Sequence, residues 1–322
     1  MKHLTSSTLL LLFCLCPLAL RAGTTIQTDV VKKAIVFIYA ANSDGTDADV
    51  AKPMGTGFLV GMHVKDNPKV GSLVLVTARH IVDPEWLFCP ISQPEMVFIR
   101  LNKKDYDSKK DSTGVAYLKV TLVDHGEKKY LVRVDDDEVD AAIVPLRWED
   151  YSEDKYDFIP LALSTFGSPD ELKQMKIGDS IASAGLLTKG SGEKRNYPFF
   201  KFGNISNIPD EPTKIACLPG LPERRLERVW FIAANLIEGN SGSPIFYTPP
   251  ELCGIVGIKC NMVTRAFILG VQSSTLGGAD IAGMTPIEDV FKIIEKSAPP
   301  EEDLFRGDET NRKPDGGATA PR

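Results

Sequence analysis

The chain has 322 residues, 43% of them apolar and 25% charged, ordinary proportions for a globular protein. Its 43 acidic against 37 basic side chains give a net charge of −6, which argues against a nucleic-acid binder, and no basic patch interleaved with aromatics competes with that reading. Only four histidines are present and no C-x-x-C pair, so neither a metal site nor a cofactor is expected.

Met1-Lys2-His3 opens the chain with positive charge, an apolar run follows from Leu9 to Leu20, and Arg21-Ala22-Gly23 offers small residues for a cut. This pattern predicts a secretory signal peptide over residues 1–22, cleaved near Ala22. The run is too short for a membrane span, and Phe13-Cys14-Leu15 departs from the small residues that lipidation at Cys16 needs. With no second span in sight, a secreted or periplasmic protein is expected. Loss of the leader leaves Cys89, Cys217, Cys253 and Cys260, which allow three pairings. An extended strand between Cys253 and Cys260 would hold them about 23 Å apart, which argues against that pair.

Gly55-Thr56-Gly57-Phe58-Leu59-Val60 reads as a strand whose glycines permit close packing. The apolar run Leu73–Thr77 reads as a second strand, closing at His80, a rigid place to hold a base. His63 and His125 lie in polar, charged surroundings and read as surface residues. Lys103–Asp111 is predicted to be a solvated hairpin tip, and Asp135-Asp136-Asp137-Glu138 a solvated, self-repelling loop. Asp140 differs, because Ala141–Leu146 after it is an apolar strand and an unpaired charge at a buried strand start is costly. A partner is expected, and His80 is the natural one. Lys189–Asn196 is glycine-rich and basic but does not match a phosphate-binding loop, so a mobile loop near the cleft is expected. Glu238-Gly239-Asn240-Ser241-Gly242-Ser243-Pro244 sets one serine among small residues, which suits a nucleophile on a tight turn with backbone N–H groups open to a ligand. Cys253–Cys260 and Ile281–Pro286 read as strands. Apolar residues at 287, 290, 291 and 294 then predict an amphipathic closing helix. From Ala298 the chain is too polar and breaker-rich to fold, so 298–322 is expected to be a disordered tail.

Thr77-Ala78-Arg79-His80, Asp140-Ala141-Ala142-Ile143 and Gly239-Asn240-Ser241-Gly242-Ser243-Pro244 resemble the three signatures of trypsin-like (chymotrypsin-fold) serine peptidases, in the same order and at separations of about 60 and about 100 residues. The resemblance implies an all-β fold: two packed six-stranded antiparallel β-barrels and a C-terminal helix, over residues 23–297, dividing near 150–175. It implies a secreted serine endopeptidase acting on protein or peptide substrates, with His80, Asp140 and Ser241 as triad and the Gly239 and Ser241 amides as oxyanion hole. Asn235 falls near the base of the primary specificity pocket, and Ile258, Lys259 and Cys260 on the strand lining it; the amide at 235 points toward a neutral side chain in the substrate. Gly-Asn-Ser-Gly, rather than Gly-Asp-Ser-Gly, resembles the bacterial HtrA-like and glutamyl-endopeptidase-like branches, here without room for a PDZ domain. Asn240 lacks the charge to pair with an amino terminus released by activation cleavage, so the oxyanion loop is expected to order without that cut. The alternative is a catalytically silent secreted binding protein on the same fold. Disulfide pairing and oligomeric state stay open at this point.

Overall fold

A computed structural model of the chain describes residues 26–64, 67–88, 92–133, 135–147, 150–152, 154–187, 190, 192–215, 225–234, 239–249, 263, 265–276 and 280–297. The leader, the tail, the four remaining cysteines and the Cys253–Cys260 strand lie outside these residues.

A short helix α1 (Thr28–Ala34) leads into β1 (Ile35–Ala41), β2 (Ala48–Val64) and β3 (Asn67–Thr77). One turn of helix, α2 (Arg79–Val82), follows, then β4 (Met96–Asn102), β5 (Val115–Thr121), a small hairpin of β6 (Val123–Asp124) and β7 (Glu127–Lys128), β8 (Ala142–Leu146) and β9 (Leu161–Ala162). These strands pair in the order β5-β4-β1-β2-β3-β8, with β9 running parallel to β2.

Side chains alternate across a strand, and here each face feeds a different core. Ile35, Phe37, Tyr39, Phe58, Val60, Val74, Val76 and Ile143 point into one apolar cluster; Val36, Ile38, Leu59, Leu73, Leu75, Ala142 and Val144 point into another. With both faces covered, the strands need no polar side, which is why Leu73–Val76 reads as an unbroken apolar run.

The expected six-stranded barrel is corrected here. The first unit is a seven-stranded sheet whose end strands β5 and β8 are not bonded to each other among the described residues, which makes it a half-barrel. Beside β8 the neighbouring segment makes a single bridge, Leu131 to Ile143. On the side of β4 and β5, residues 192–196 bond to the sheet. Gly114 N–H donates to Lys194 O at 3.0 Å, Arg100 Nη2 to Gly192 O at 2.7 Å, and Asn196 Nδ2 to Arg100 O at 2.6 Å. Residues 192–196 of the glycine-rich loop, which was expected to be mobile near the cleft, are bonded along the first sheet.

The second unit begins with α3 (Pro169–Leu172) and contains β10 (Ser180–Gly185), β11 (Phe199–Asn207), a hairpin of β12 (Thr213–Ile215) and β13 (Arg225–Glu227), β14 (Trp230–Ala233), β15 (Pro244–Tyr247), β16 (Phe267–Leu276) and β17 (Ile281–Pro286). Six of these close a barrel, β10-β11-β14-β17-β16-β15. The last helix, α4 (Ile287–Ser297), packs on β8, β16 and β17. It buries Ile287, Val290, Ile293 and Ile294, whereas Phe291, expected on the apolar face, is 38% exposed.

The acidic run is exposed at Asp135 and Asp137, as a solvated loop would be, but its charges are paired. Asp136 pairs with Arg133 at 3.3 Å and Arg228 at 2.9 Å, and Asp137 receives Arg79 at 3.0 Å and the Trp86 indole N–H at 2.9 Å. Arg79 and Arg225 both lie against the Trp86 ring, 4.7 and 4.8 Å from its centre. Like charges that repel in isolation are here distributed among Arg79, Arg133, Arg225 and Arg228.

Candidate active site

His80 sits one turn beyond the end of β3, in α2, not on the strand itself. Asp140 lies two residues ahead of β8, which pairs with β3 in the register Thr77 to Ala142. That pairing sets the two side chains facing each other. Asp140 Oδ2 is 2.7 Å from His80 Nδ1, and Oδ1 accepts the His80 backbone N–H at 3.0 Å. An ionised carboxylate only accepts, so Nδ1 carries the hydrogen and Nε2 is left with its lone pair. The aspartate side chain is fully buried and the imidazole is 17% exposed. Burial pulls the His80 pKa down, but the charge of Asp140 and its hydrogen bond together outweigh that, and the net shift is upward from 6.5. Thr285 of β17 steadies the same segment by donating to Asp140 O at 3.2 Å.

The serine turn, residues 239–243, is locked to both units by backbone bonds. Gly242 N–H donates to Gln272 O at 2.8 Å, and Gln272 N–H to Ser243 O at 2.9 Å. Gly242 has φ +84°, and a Cβ there would stand 2.0 Å from Thr56 O and 2.3 Å from Thr77 Oγ1, so no other residue fits. Gly55 plays a matching part, because a Cβ on it would meet Ser241 O at 2.9 Å and Ile81 Cδ1 at 2.5 Å. Ser241 and the residue after His80 thus converge on one glycine, which brings the serine turn and the His80–Asp140 pair together. Gly239 has φ +93°. Among the described residues neither its N–H nor that of Ser241 has an acceptor.

Thr56 went unremarked in the sequence except as part of a strand, yet it is the hub of the turn. It is fully buried. Its N–H donates to Ser241 O at 2.8 Å and its hydroxyl to Gly239 O at 2.8 Å. The hydroxyl accepts from Leu186 N–H at 3.0 Å, and Thr56 O accepts from the Thr77 hydroxyl at 2.7 Å. Flanking glycines on both sides were the one local signal. Lys201 and Glu227 were also missed. Glu227 is buried with neither carboxylate oxygen bonded among the described residues. Burial first, and the charge of Asp140 second, push its pKa well above 4.5 against the opposing pull of Arg225.

Asn235, Ile258, Lys259 and Cys260 lie outside the described residues. The side chain of His125 is 95% exposed at a left-handed backbone position, as a surface residue should be. Among the described residues no group of three or more His, Cys, Asp and Glu side chains is placed to hold a metal ion.

No family model matches the chain, and no curated protein matches it in sequence. Among solved structures it is similar to the MamO protease domain from Magnetospirillum magneticum, at 12% identity over 82% of this chain and 97% of that one, with a TM-score of 0.47. It is similar to HBP at 11% identity (86% and 95%, TM-score 0.44) and to the active form of the Rv3671c protease from M. tuberculosis at 16% (86% and 89%, TM-score 0.42). The fold is mostly β, a closed six-stranded barrel beside a half-barrel.

Proposed function

We propose that the chain is a secreted serine endopeptidase. The observation that carries this reading is the 2.7 Å contact of His80 with a buried Asp140, set against a serine turn held open by glycines. In the proposed mechanism His80 Nε2 takes the Ser241 proton as Oγ attacks the scissile carbonyl. Asp140 holds the tautomer and balances the imidazolium, and the Gly239 and Ser241 amides receive the oxyanion. His80 then returns the proton to the leaving amine, and a water activated by the same residue hydrolyses the acyl-enzyme. The neutral Asn240 supports a place near the HtrA-like and glutamyl-endopeptidase-like branches, and residues 23–297 make up the proposed peptidase domain behind a signal peptide.

A fluorophosphonate probe tests the assignment. Wild-type protein is expected to label covalently, while Ser241→Ala and His80→Ala are not. Labelling of the Ser241→Ala protein at the wild-type rate would sink the assignment, and casein hydrolysis then reports whether the acyl-enzyme turns over.

A further inference from the structure

The residue before the proposed nucleophile is neutral, yet it is held as firmly as a charged one. Asn240 is 1% exposed, its Oδ1 accepts from Lys201 Nζ at 2.8 Å, and its Nδ2 donates to Leu186 O at 2.8 Å. Lys201 comes from β11, directly opposite Ser183 of β10. Gly185, two residues along β10, faces the same side. A Cβ on Gly185 would strike Ser243 Oγ at 1.9 Å and approach Asn240 Nδ2 at 2.8 Å. This face of the β10–β11 ladder is therefore the seat of the serine turn, and Lys201 is the cation built into it. Lys201 is partly buried, and burial draws its pKa down. The bond from this partly buried ammonium to the Asn240 carboxamide is charge-assisted, the stronger kind of hydrogen bond.

We propose that Lys201 is a positioning residue that orders the oxyanion turn of the uncleaved chain by fixing the Asn240 carboxamide. The inference rests on the serine-peptidase reading above. A charge-assisted bond to Oδ1 settles which way the amide faces and so commits Nδ2 to Leu186 O. The flanking peptide planes, which carry the Gly239 and Ser241 N–H groups, are then fixed before substrate arrives. The charge that a freed amino terminus would otherwise bring is supplied from within β11.

The full secreted chain is assayed with a fluorophosphonate probe and a casein-derived peptide. Lys201→Met, which keeps the stem and removes the donor, is expected to slow labelling and lower kcat by about 10²-fold, the scale of a lost oxyanion donor. KM and the acid limb set by His80 stay near wild type, because the loss falls on the transition state. Lys201→Arg restores most of the rate. A folded Lys201→Met protein that labels at the wild-type rate overturns the inference alone. A wild-type chain that labels no faster than Ser241→Ala overturns the peptidase reading and the inference with it. Should Lys201→Met not fold, Asn240→Leu, which keeps the lysine but removes its acceptor, decides: an equal loss supports the role, and wild-type labelling ends it.

Discussion

At the scale of single residues, two buried acids sit close together and have opposite tasks. Asp140 is satisfied by the His80 ring and by a backbone N–H, and its negative charge raises the His80 pKa. The proposed base works only when neutral, so kcat/KM is expected to rise with pH through a midpoint above 6.5. In Asp140→Asn, burial acts without its opponent and the His80 pKa falls; the activity that remains should show its acid limb displaced to lower pH. An unmoved limb in a pH-rate profile would mean that Asp140 does not set the base. Among the described residues neither carboxylate oxygen of Glu227, beside it, has a hydrogen-bond partner, and burial pushes its pKa well up. Its folded-state pKa is raised, so above 4.5 the unfolded chain ionises this group while the folded chain keeps its proton. The folded state then binds more protons, and stability falls as pH rises, at up to about 1.4 kcal/mol per pH unit. Glu227→Gln keeps the shape and removes the titration. Urea unfolding should show the variant little changed near pH 4.5 and more stable at pH 8, and equal stability at both would refute this account.

At the scale of elements, the serine turn is not a self-standing motif. Its carbonyls at 239 and 241 are tied to Thr56 on β2, its amide at 242 to Gln272 on β16, and its side chain at 240 to β11. Thr56→Val removes one hydroxyl and leaves two buried backbone groups, Gly239 O and Leu186 N–H, without that partner. At about 1–3 kcal/mol each, the loss should total roughly 2–6 kcal/mol in denaturant unfolding and should be accompanied by slower probe labelling. Wild-type values for both would place the control of the turn elsewhere. This wiring also explains what the sequence disclosed. His80, Asp140 and Ser241 stand in short strings whose neighbours have local reasons to be there, such as Gly242 at its positive φ or the apolar strand behind Asp140. Thr56 reaches Gly239 across 183 positions and Lys201 reaches Asn240 across 39, so nothing in Gly-Thr-Gly or Phe-Phe-Lys-Phe announces either partner. The half-barrel escaped notice for a related reason. Periodicity shows that a strand is apolar on both faces, but not whether the outermost strands of its sheet meet.

At the scale of the whole molecule, the two units share a core. One contiguous cluster runs from Ile35, Phe37 and Val76 of the first sheet to Ile181, Ile245 and Met284 of the barrel and on to Val290 and Ile294 of α4. Units joined through apolar packing of this kind unfold together, so tryptophan fluorescence and far-UV circular dichroism should give coincident urea transitions. Two separated transitions would show that the interface is weaker than its packing implies. The closing elements tie the halves once more: Asp289 of α4 lies 2.7 Å from Arg133, and Thr285 of β17 reaches back 145 positions to Asp140. Proteins are made from the amino end, so His80, Asp140 and Ser241 have all left the ribosome before the strand and helix that brace them exist. Until that last stretch emerges, the barrel has an open side and the proposed triad has no completed frame. Between the synthesis of Ser241 and that of Ser297 each copy therefore carries all three residues of the proposed triad without the frame that would complete it.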